Sequence, residues 1–379
     1  MGNRPETGGE TGRIGATWAL LVSGALLVGL PLLGVLFSGG DLGMYLEFPP
    51  VTRHVRHAAF AWPVFVALAL LEGAFVAACG WLLWRGRGAA AAPRKKRPFP
   101  WWGRAAVAAN LAVWVLAWTR FDWMGALQRH TFSGLWLTYI VIVNAWTWKR
   151  SGRCMLLDRP ILFGLLFPVS ALFWWFFEFL NRFVQNWYYV QTGGLTAGDY
   201  VLAATLPFAT VLPAVGGTFE LLRTYPRLSA GMRSLPPLRG RRPRLWSALV
   251  LLPAAAALAG IALWPDVLFP VLWISPVVIL LCVRRLLGCR PAFPGPARGD
   301  WRSAWLAALA ALVCGVFWEL WNAGSYAGWE YAIPYVGRFH VFEMPILGYG
   351  GYIPFGLECF VLTHLVATLL GRPWPAPEP

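Results

Sequence analysis

The chain of 379 residues is too apolar for a water-soluble protein, since 58% of its residues are hydrophobic and only 13% are charged. Its mean hydropathy is +0.55. The net charge of +15 would suggest a nucleic-acid partner in a soluble protein, but here the cations concentrate on one side of the predicted membrane spans. The six cysteines are scattered without a Cys-x-x-Cys motif, a pattern that fits neither a disulfide framework nor a zinc site.

Apolar segments predict membrane-spanning helices, because a hydrocarbon core of about 30 Å is crossed at about 1.5 Å per residue. We predict an all-α, polytopic integral membrane protein with about ten spans. The predicted spans are 14–37, 58–84, 103–119, 131–148, 160–181, 200–222, 245–264, 267–283, 303–322 and 344–370. Asn110 and Asn144 interrupt the third and fourth of them. The first span is interpreted as an uncleaved anchor, since no small-residue cleavage pattern follows it.

The basic residues predict the orientation, because short cytoplasmic loops retain Lys and Arg. These residues concentrate on one side of the predicted spans, in the segments 85–104, 149–159, 223–244 and 284–302. We therefore expect these segments and both termini to be cytoplasmic, in what we expect to be a bacterial inner membrane. Since membrane topology accounts for the positive charge, no nucleic-acid partner is predicted.

The second half of the chain resembles the first, which indicates a tandem repeat. The matched pairs are residues 132–143 with 269–280, Trp136 with Trp273, Glu178 with Glu319, Asn181 with Asn322, Pro207 with Pro345, and Glu220 with Glu358. Each unit contains four predicted spans, so the two units should be parallel and related by a pseudo-two-fold axis along the membrane normal. The predicted divisions are an N-terminal helix pair with a basic inner loop (1–102), repeat 1 (103–222), a basic cytoplasmic linker (223–244) and repeat 2 (245–379).

Glutamates within the predicted spans are candidates for function, because an ionisable group in a bilayer costs a few kcal/mol. They are Glu72, Glu178, Glu220, Glu319 and Glu358. Asn181 and Asn322 each follow a glutamate by three residues, so each pair shares a helix face. Such groups can hold helices together by hydrogen bonds, or they can line a polar chamber.

The aromatic residues after each Glu-Asn pair favour a chamber in the outer half of the bilayer, although aromatic belts also populate membrane interfaces. They are Trp187, Tyr188, Tyr189, Tyr326, Trp329, Tyr331 and Tyr335. The two acids are not expected to be equivalent, because Arg182 follows Glu178 by four residues whereas Ala323 follows Glu319. An ion pair with Arg182 would keep Glu178 charged, so Glu319 is the better candidate for a protonated acid.

Metal and cofactor motifs are not found in the sequence. His54, His57, His130 and His340 lie on the predicted outer side, so an outer metal site is an alternative, but no HExxH or repeated His-x-His motif supports it. The chain also lacks a P-loop, GxSxG, HExxH and a His-box set. We therefore predict no metal and no cofactor.

The hairpin between the ninth and tenth spans resembles bacterial and archaeal carotenoid-modifying membrane enzymes of the small lycopene cyclase and carotenoid hydratase kind. The resemblance lies in an acid near a helix end, an aromatic loop and a proline-opened helix with a further acid, here residues 317–322, 329–331 and 342–358. Only Glu358 follows Pro354, where the cyclases have paired acids. The resemblance implies acid-initiated alkene chemistry on a polyprenoid, with Glu319 and Glu358 as the matching acids.

The sequence favours a membrane-embedded enzyme that acts on a membrane lipid or isoprenoid. In this hypothesis Glu319 is the general acid, Asn322 orients it, and Glu358 or Glu178 is the base. Aromatic faces would stabilise developing positive charge. The predicted binding residues are Trp318, Trp321, Trp329, Tyr331, Asn181 and Glu220.

Two other classes of function remain open on the sequence. The first is a transporter that binds protons or a cation at the same glutamates. It is favoured by the parallel repeat and by Pro207, Pro213, Pro345 and Pro354, which could break the sixth and tenth spans. The second is a scaffold for membrane assembly.

Overall fold

The structure is a computed structural model that describes residues 7–50, 52–88 and 97–375. Arg4 and the basic residues Arg94, Lys95 and Lys96 of the predicted inner loop lie outside the described residues. The long helices are α1 (Thr7–Phe37), α2 (Trp62–Gly86), α3 (Trp101–Trp118), α4 (Thr131–Ser151), α5 (Pro160–Val184), α6 (Ala197–Phe208), α7 (Val211–Arg223), α8 (Pro243–Gly260), α9 (Val271–Leu286), α10 (Arg302–Gly324) and α11 (Tyr352–Leu369).

Shorter elements connect the long helices. The single-turn α-helices are Gly43–Leu46, Met155–Asp158 and Pro265–Leu268. The 3-10 helices are Asp122–His130, Pro226–Leu228, Ala230–Met232, Pro296–Arg298 and Ile346–Gly351. The strands are β1 (Trp187–Tyr189), β2 (Trp329–Tyr331), β3 (His340–Val341) and β4 (Met344–Pro345).

Seven helical segments of the described chain are long and apolar enough to cross a membrane, so the protein is an integral membrane protein. They are Gly12–Phe37, Trp62–Gly86, Pro160–Val184, Ala197–Arg223, Pro243–Gly260, Arg302–Gly324 and Ile346–Leu369. Each coincides with a predicted span. The other predicted spans, at 103–119, 131–148 and 267–283, are also helical, as α3, α4 and α9, but they do not combine this length and hydropathy. The total of ten membrane spans therefore remains a prediction.

The asparagines that interrupt α3 and α4 make packing contacts. The Asn110 amide donates to the Thr138 hydroxyl at 2.8 Å and to the Leu135 carbonyl at 3.1 Å, which joins α3 to α4. Asn144 accepts the Leu156 backbone N–H at 3.0 Å and fixes the turn after α4. Polar groups in an apolar bundle are stable when they are paired in this way.

The prolines break two spans, as the sequence predicted. The segment Ala197–Arg223 is divided into α6 and α7 at Ala209–Thr210, and the last span begins as the 3-10 helix Ile346–Gly351 before α11. Pro213 and Pro354 lie in the first turns of α7 and α11, where proline removes no intrahelical hydrogen bond. At the first break, the Ser170 hydroxyl of α5 donates to the Phe208 carbonyl and accepts the Leu212 N–H.

The helices form one bundle with a similar arrangement in its two halves. In the first half α3 packs on α4, α4 on α7, and α5 on α7; in the second half α8 packs on α9, α9 on α11, and α10 on α11. Contacts between α7 and α10 join the halves. At one end of the bundle β1 pairs antiparallel with β2, with Tyr188 opposite Glu330, and β3 pairs with β4. We call this the strand end.

Candidate functional site

A cavity borders the β1–β2 pair at the strand end, and we call it the aromatic pocket. Its empty volume is about 1240 Å³, including the part that opens to the outside. Both halves of the bundle contribute to its walls. The aromatic lining residues are Phe132, Trp174, Trp187, Tyr189, Tyr200, Phe208, Trp273, Trp318, Trp329, Tyr331, Tyr352 and Phe355. Aromatic and other apolar side chains form most of this lining, which suits a hydrocarbon ligand.

Glu178 lies behind one wall of this pocket and is fully buried, with 0% exposure. Its Oε1 atom accepts three hydrogen bonds, from the Trp174 indole at 2.9 Å, the Trp187 indole at 3.0 Å and the Tyr189 hydroxyl at 2.6 Å. Trp174 precedes Glu178 by one helical turn in α5, whereas Trp187 and Tyr189 come from β1. We call these four residues the Glu178 cluster.

Glu319 lies behind another wall and is also at 0% exposure. Its Oε1 atom accepts hydrogen bonds from the Tyr331 hydroxyl at 2.7 Å and the Tyr352 hydroxyl at 2.9 Å. The Trp329 indole donates to the Tyr331 oxygen at 2.7 Å. We call these four residues the Glu319 cluster. Both acids are therefore held by aromatic donors from a helix and a strand.

The tyrosines, and not the glutamates, face the pocket. Tyr189, Tyr331 and Tyr352 are among the lining residues, while Glu178 and Glu319 are not. Burial and the nearby glutamate raise the pKa of Tyr189 and of Tyr331 well above the usual value. These hydroxyls therefore remain protonated at neutral pH and connect the pocket to a buried carboxyl group.

The second carboxyl oxygen of each acid has no hydrogen-bond partner. Oε2 of Glu178 and Oε2 of Glu319 are buried and unpaired within the described residues. Buried oxygens without partners are rare in folded proteins because they cost free energy. Within the described chain, each acid is therefore held through Oε1 alone.

The expected ion pair between Arg182 and Glu178 is wrong. The Arg182 guanidinium donates to the Met44 carbonyl and, at 3.4 Å, to the Pro49 carbonyl. The helical spacing of four residues permits an ion pair, but the segment that precedes α2 offers Arg182 unpaired carbonyl groups instead. The donors to Glu178 are all neutral aromatic groups, so Arg182 does not distinguish this acid from Glu319.

The asparagines hold the strands in place. The Asn322 amide donates to the Trp329 carbonyl at 2.7 Å and accepts the Trp329 N–H at 2.8 Å. In the same way, Asn181 donates to the Trp187 carbonyl at 2.8 Å and accepts the Asn186 N–H at 2.8 Å. The expectation that Asn322 orients Glu319 directly is wrong, because both ends of its amide bind the backbone. Asn322 positions the strand that carries Tyr331.

Replacement of Asn322 by alanine is expected to lower the free energy of unfolding by about 2–4 kcal/mol, because it leaves two Trp329 backbone groups without a partner. The same change at Asn181 should have a similar effect. Thermal unfolding of the purified protein in detergent measures this loss. The matched control is Ser325→Ala, which removes only a hydroxyl bound to the carbonyl one turn earlier. Equal melting temperatures for Asn322→Ala and this control would contradict the assigned role.

The pocket brings together only some of the predicted binding residues. Trp318, Trp329 and Tyr331 line it. Trp321 does not, because it is 1% exposed and packs between Trp136 and Trp114, with ring centroids at 5.1 Å and 5.9 Å. Trp321 follows Trp318 by only three residues on α10. Trp318 lines the pocket and Trp321 does not because different neighbouring helices pack against the two side chains.

The other predicted acids lie away from the pocket. Glu358 is buried on α11, six residues and therefore about 9 Å along the helix from Tyr352, and it does not line the pocket. Glu220 accepts a hydrogen bond from the Trp374 indole at 2.9 Å near the end of α7. Glu72 lies on α2, a helix at the periphery of the bundle, and its carboxylate is close to Gly350 of the 3-10 helix Ile346–Gly351. Neither Glu358 nor Glu220 lines this pocket, so the role of Glu358 as a base and that of Glu220 in binding stay predictions.

Several residues of the site were not predicted. Tyr352 binds Glu319, and Trp273 and Arg129 line the pocket. Trp174 could have been found from its spacing of four residues before Glu178. Tyr352 carries no comparable signal, because it reaches Glu319 from another helix. Tyr326 and Tyr335, which were expected in the chamber, do not line the pocket.

The histidines do not form a cluster. Among the described residues, no group of three or more His, Cys, Asp or Glu side chains could hold a metal ion. His57 instead contacts Asp266, with Nδ1 2.6 Å from the carboxylate, and Asp266 also accepts the Ala58 N–H at 2.8 Å. This contact anchors the segment before α2 to the short helix Pro265–Leu268.

The fold and the site define a helical integral membrane protein with an aromatic pocket backed by two buried acids. Comparisons with models of protein families, with curated proteins and with solved structures find no match to this chain. A functional assignment therefore rests on the geometry of the pocket and of the two glutamate clusters.

Proposed function

We propose that the protein is a membrane-embedded enzyme that acts on a lipid or isoprenoid by acid–base chemistry in the aromatic pocket. One observation carries the proposal: tyrosine hydroxyls that line a largely apolar cavity are hydrogen-bonded to fully buried glutamates. Apolar walls suit a hydrocarbon substrate, and acids held away from water are typical of proton-transfer sites.

In this proposal, Glu319 supplies a proton through a tyrosine. When Glu319 carries its proton on Oε1, the acid donates to the Tyr331 oxygen and the Tyr331 hydroxyl turns toward the pocket. The Oε1 proton then passes to Tyr331 as the Tyr331 proton passes to a carbon of the substrate double bond, which leaves Glu319 as a carboxylate. The cation that forms at the neighbouring carbon lies among the faces of Trp318 and Trp329, which stabilise positive charge. The Tyr189 oxygen then takes a proton from a carbon next to the cation while the Tyr189 proton passes to Oε1 of Glu178. This step restores a double bond and leaves Glu178 protonated.

We also propose that the two halves arose as parallel repeats. Support comes from reciprocal contacts between them: the Trp136 ring of the first half packs against Trp318 with centroids 4.8 Å apart, and the Trp273 ring of the second half stacks on Phe177 at 5.1 Å. Phe177 and Trp318 each directly precede the glutamate of their half. The antiparallel β1–β2 pair is also what a two-fold axis along the membrane normal would produce.

The strand end is proposed to face the outside, because the basic segments precede α5 and α10 at the opposite end. A cysteine at Gly193, which has open space around it, should react with a membrane-impermeant thiol reagent in intact cells. A cysteine at Ser234 should react only after the membrane is opened. The unmodified protein with its native cysteines is the control. Labelling of Ser234→Cys in sealed cells would reverse the proposed orientation.

The test of the enzyme proposal is a comparison of lipid composition. Membranes that contain the native protein should convert at least one lipid or isoprenoid species, detected by mass spectrometry of the total extract. Membranes with equal amounts of folded Tyr331→Phe should not, because this variant keeps the ring but loses the hydroxyl between Glu319 and the pocket. Identical lipid profiles for the native protein, Tyr331→Phe and an empty vector would refute the proposal.

Transport is the second candidate, and the broken spans support it. The breaks at Ala209–Thr210 and at Ile346–Gly351 both adjoin the pocket, and discontinuous helices of this kind form substrate sites in transporters. Proton-coupled uptake into vesicles that contain the purified protein would favour this function. Chemical conversion of a lipid without net transport favours the enzyme.

A further inference from the structure

We propose that the substrate is an amphiphile with an anionic head, and that Arg129 binds this head at the mouth of the aromatic pocket. The inference deepens the proposed function and rests on the same pocket. Arg129 lies in the 3-10 helix Asp122–His130 and lines the pocket together with Phe132, one turn later. It is half-exposed, as is Thr192, and Gln191 is exposed, so these three residues mark the opening.

Arg129 is unengaged within the described chain. It has no hydrogen bond, ion pair or ring contact there, and no described Asp or Glu lines the pocket. Three other arginines at the strand end are engaged. Arg120 donates to the Gly324 carbonyl at 3.0 Å, Arg182 donates to the Met44 carbonyl, and Arg338 lies 4.3 Å above the Phe60 ring. The side chains of Arg53 and Arg56 also have no partner within the described chain, but neither lines the aromatic pocket, whereas Arg129 does.

The polarity of the pocket changes with depth. Its inner wall includes Phe355, Phe208 and Trp187, which are at most 5% exposed. The hydroxyls of Tyr189, Tyr331 and Tyr352 are bound to the glutamates. The side chains of Gln191 and Thr192 at the mouth make no hydrogen bond to the described chain. A ligand that matches this gradient has a hydrocarbon tail and an anionic head.

Arginine is suited to such a head because its planar guanidinium donates two parallel hydrogen bonds to a phosphate or carboxylate. The tail would then extend from the mouth toward Trp318 and Tyr331, beside the Glu319 cluster. Arg129 is therefore a binding residue that sets which end of the substrate enters the pocket. It takes no part in the proposed proton transfer.

The test compares two prenyl compounds with the same tail. Radiolabelled farnesyl monophosphate and uncharged farnesol are titrated against the full chain in detergent micelles. The phosphate is expected to bind about ten- to a hundred-fold more tightly, the range for a charge-assisted contact. Arg129→Gln should abolish this preference, and Arg129→Lys should retain part of it. Arg338→Gln, which removes the same charge away from the pocket, should keep the preference.

Each other outcome is decisive. Equal affinities for the two compounds in the native protein, or an unchanged preference in Arg129→Gln, would overturn the anionic-head proposal while leaving an apolar pocket that binds farnesol. Inorganic phosphate that competes as well as farnesyl monophosphate would show a site for soluble anions, and would also overturn it. Failure of both prenyl compounds to bind would instead count against the proposed function.

Discussion

Replacement of Glu319 by glutamine is expected to lower turnover by about 10²- to 10⁴-fold, the usual contribution of a general acid. The fold should be retained. The glutamine carbonyl still accepts hydrogen bonds from Tyr331 and Tyr352, and its amide replaces Oε2, which has no partner within the described structure. Turnover is measured as conversion of the lipid species that depends on the native protein, at equal amounts of folded protein.

The matched control is Glu220→Gln, which changes a half-buried acid that does not line the pocket and should leave turnover unchanged. Glu178→Gln should resemble Glu319→Gln in melting temperature, because neutral aromatic groups bind both acids and Arg182 binds neither. Full turnover in folded Glu319→Gln would refute the proposed acid. The clusters would then serve only to join the helices.

Replacement of Gly356 by leucine is expected to prevent accumulation of the folded protein. A Cβ atom at this position of α11 would overlap the Ala307 carbonyl oxygen of α10, so the two helices touch through their backbones. Overpacking of a core typically costs about 1–3 kcal/mol, so even Gly356→Ala should lower the melting temperature clearly. The yield of monodisperse protein after detergent extraction and its thermal unfolding measure the two effects.

Gly164→Ala is the control for this change. It adds the same methyl group to a transmembrane helix at an exposed position with open space around it, so it should be neutral. Gly356 lies one turn after Tyr352, so the helix spacing that it permits also sets the 2.9 Å contact between Tyr352 and Glu319. A Gly356→Ala protein with native stability and native lipid conversion would show that α10 and α11 can separate without cost.

The spans and their breaks could be predicted because each depends on local composition. A long apolar run forms a helix in a bilayer wherever it packs, since its backbone groups pair within the segment. Proline is favoured in the first turn of a helix, so Pro213 and Pro354 also indicated where α7 and α11 begin. The importance of Glu178 and Glu319 followed from the free-energy cost of burying an acid.

The contacts of the site could not be predicted, because they depend on which helices become neighbours. Arg182 is spaced correctly for Glu178 but binds the Met44 carbonyl, which is distant in sequence. Tyr352 meets Glu319 only because α11 lies against α10. The asparagines also share a helix face with the glutamates, yet their amides bind the strands. Spacing along a helix gives the face of a residue but not its partner.

The β1–β2 pair bears on the origin of the chain. If the halves descend from one ancestral gene, the ancestral protein would have formed a homodimer in which this strand paired with the same strand of the second chain. Identical residues would then have been opposite each other at the centre of the strand pair. Two glutamates there would repel each other. In the present protein the Tyr188 hydroxyl donates to the Glu330 carboxylate at this central position. Fusion of two copies of the gene would have allowed the two central residues to diverge into a complementary Tyr–Glu pair. Two separate identical chains could no longer form this strand pair by self-association.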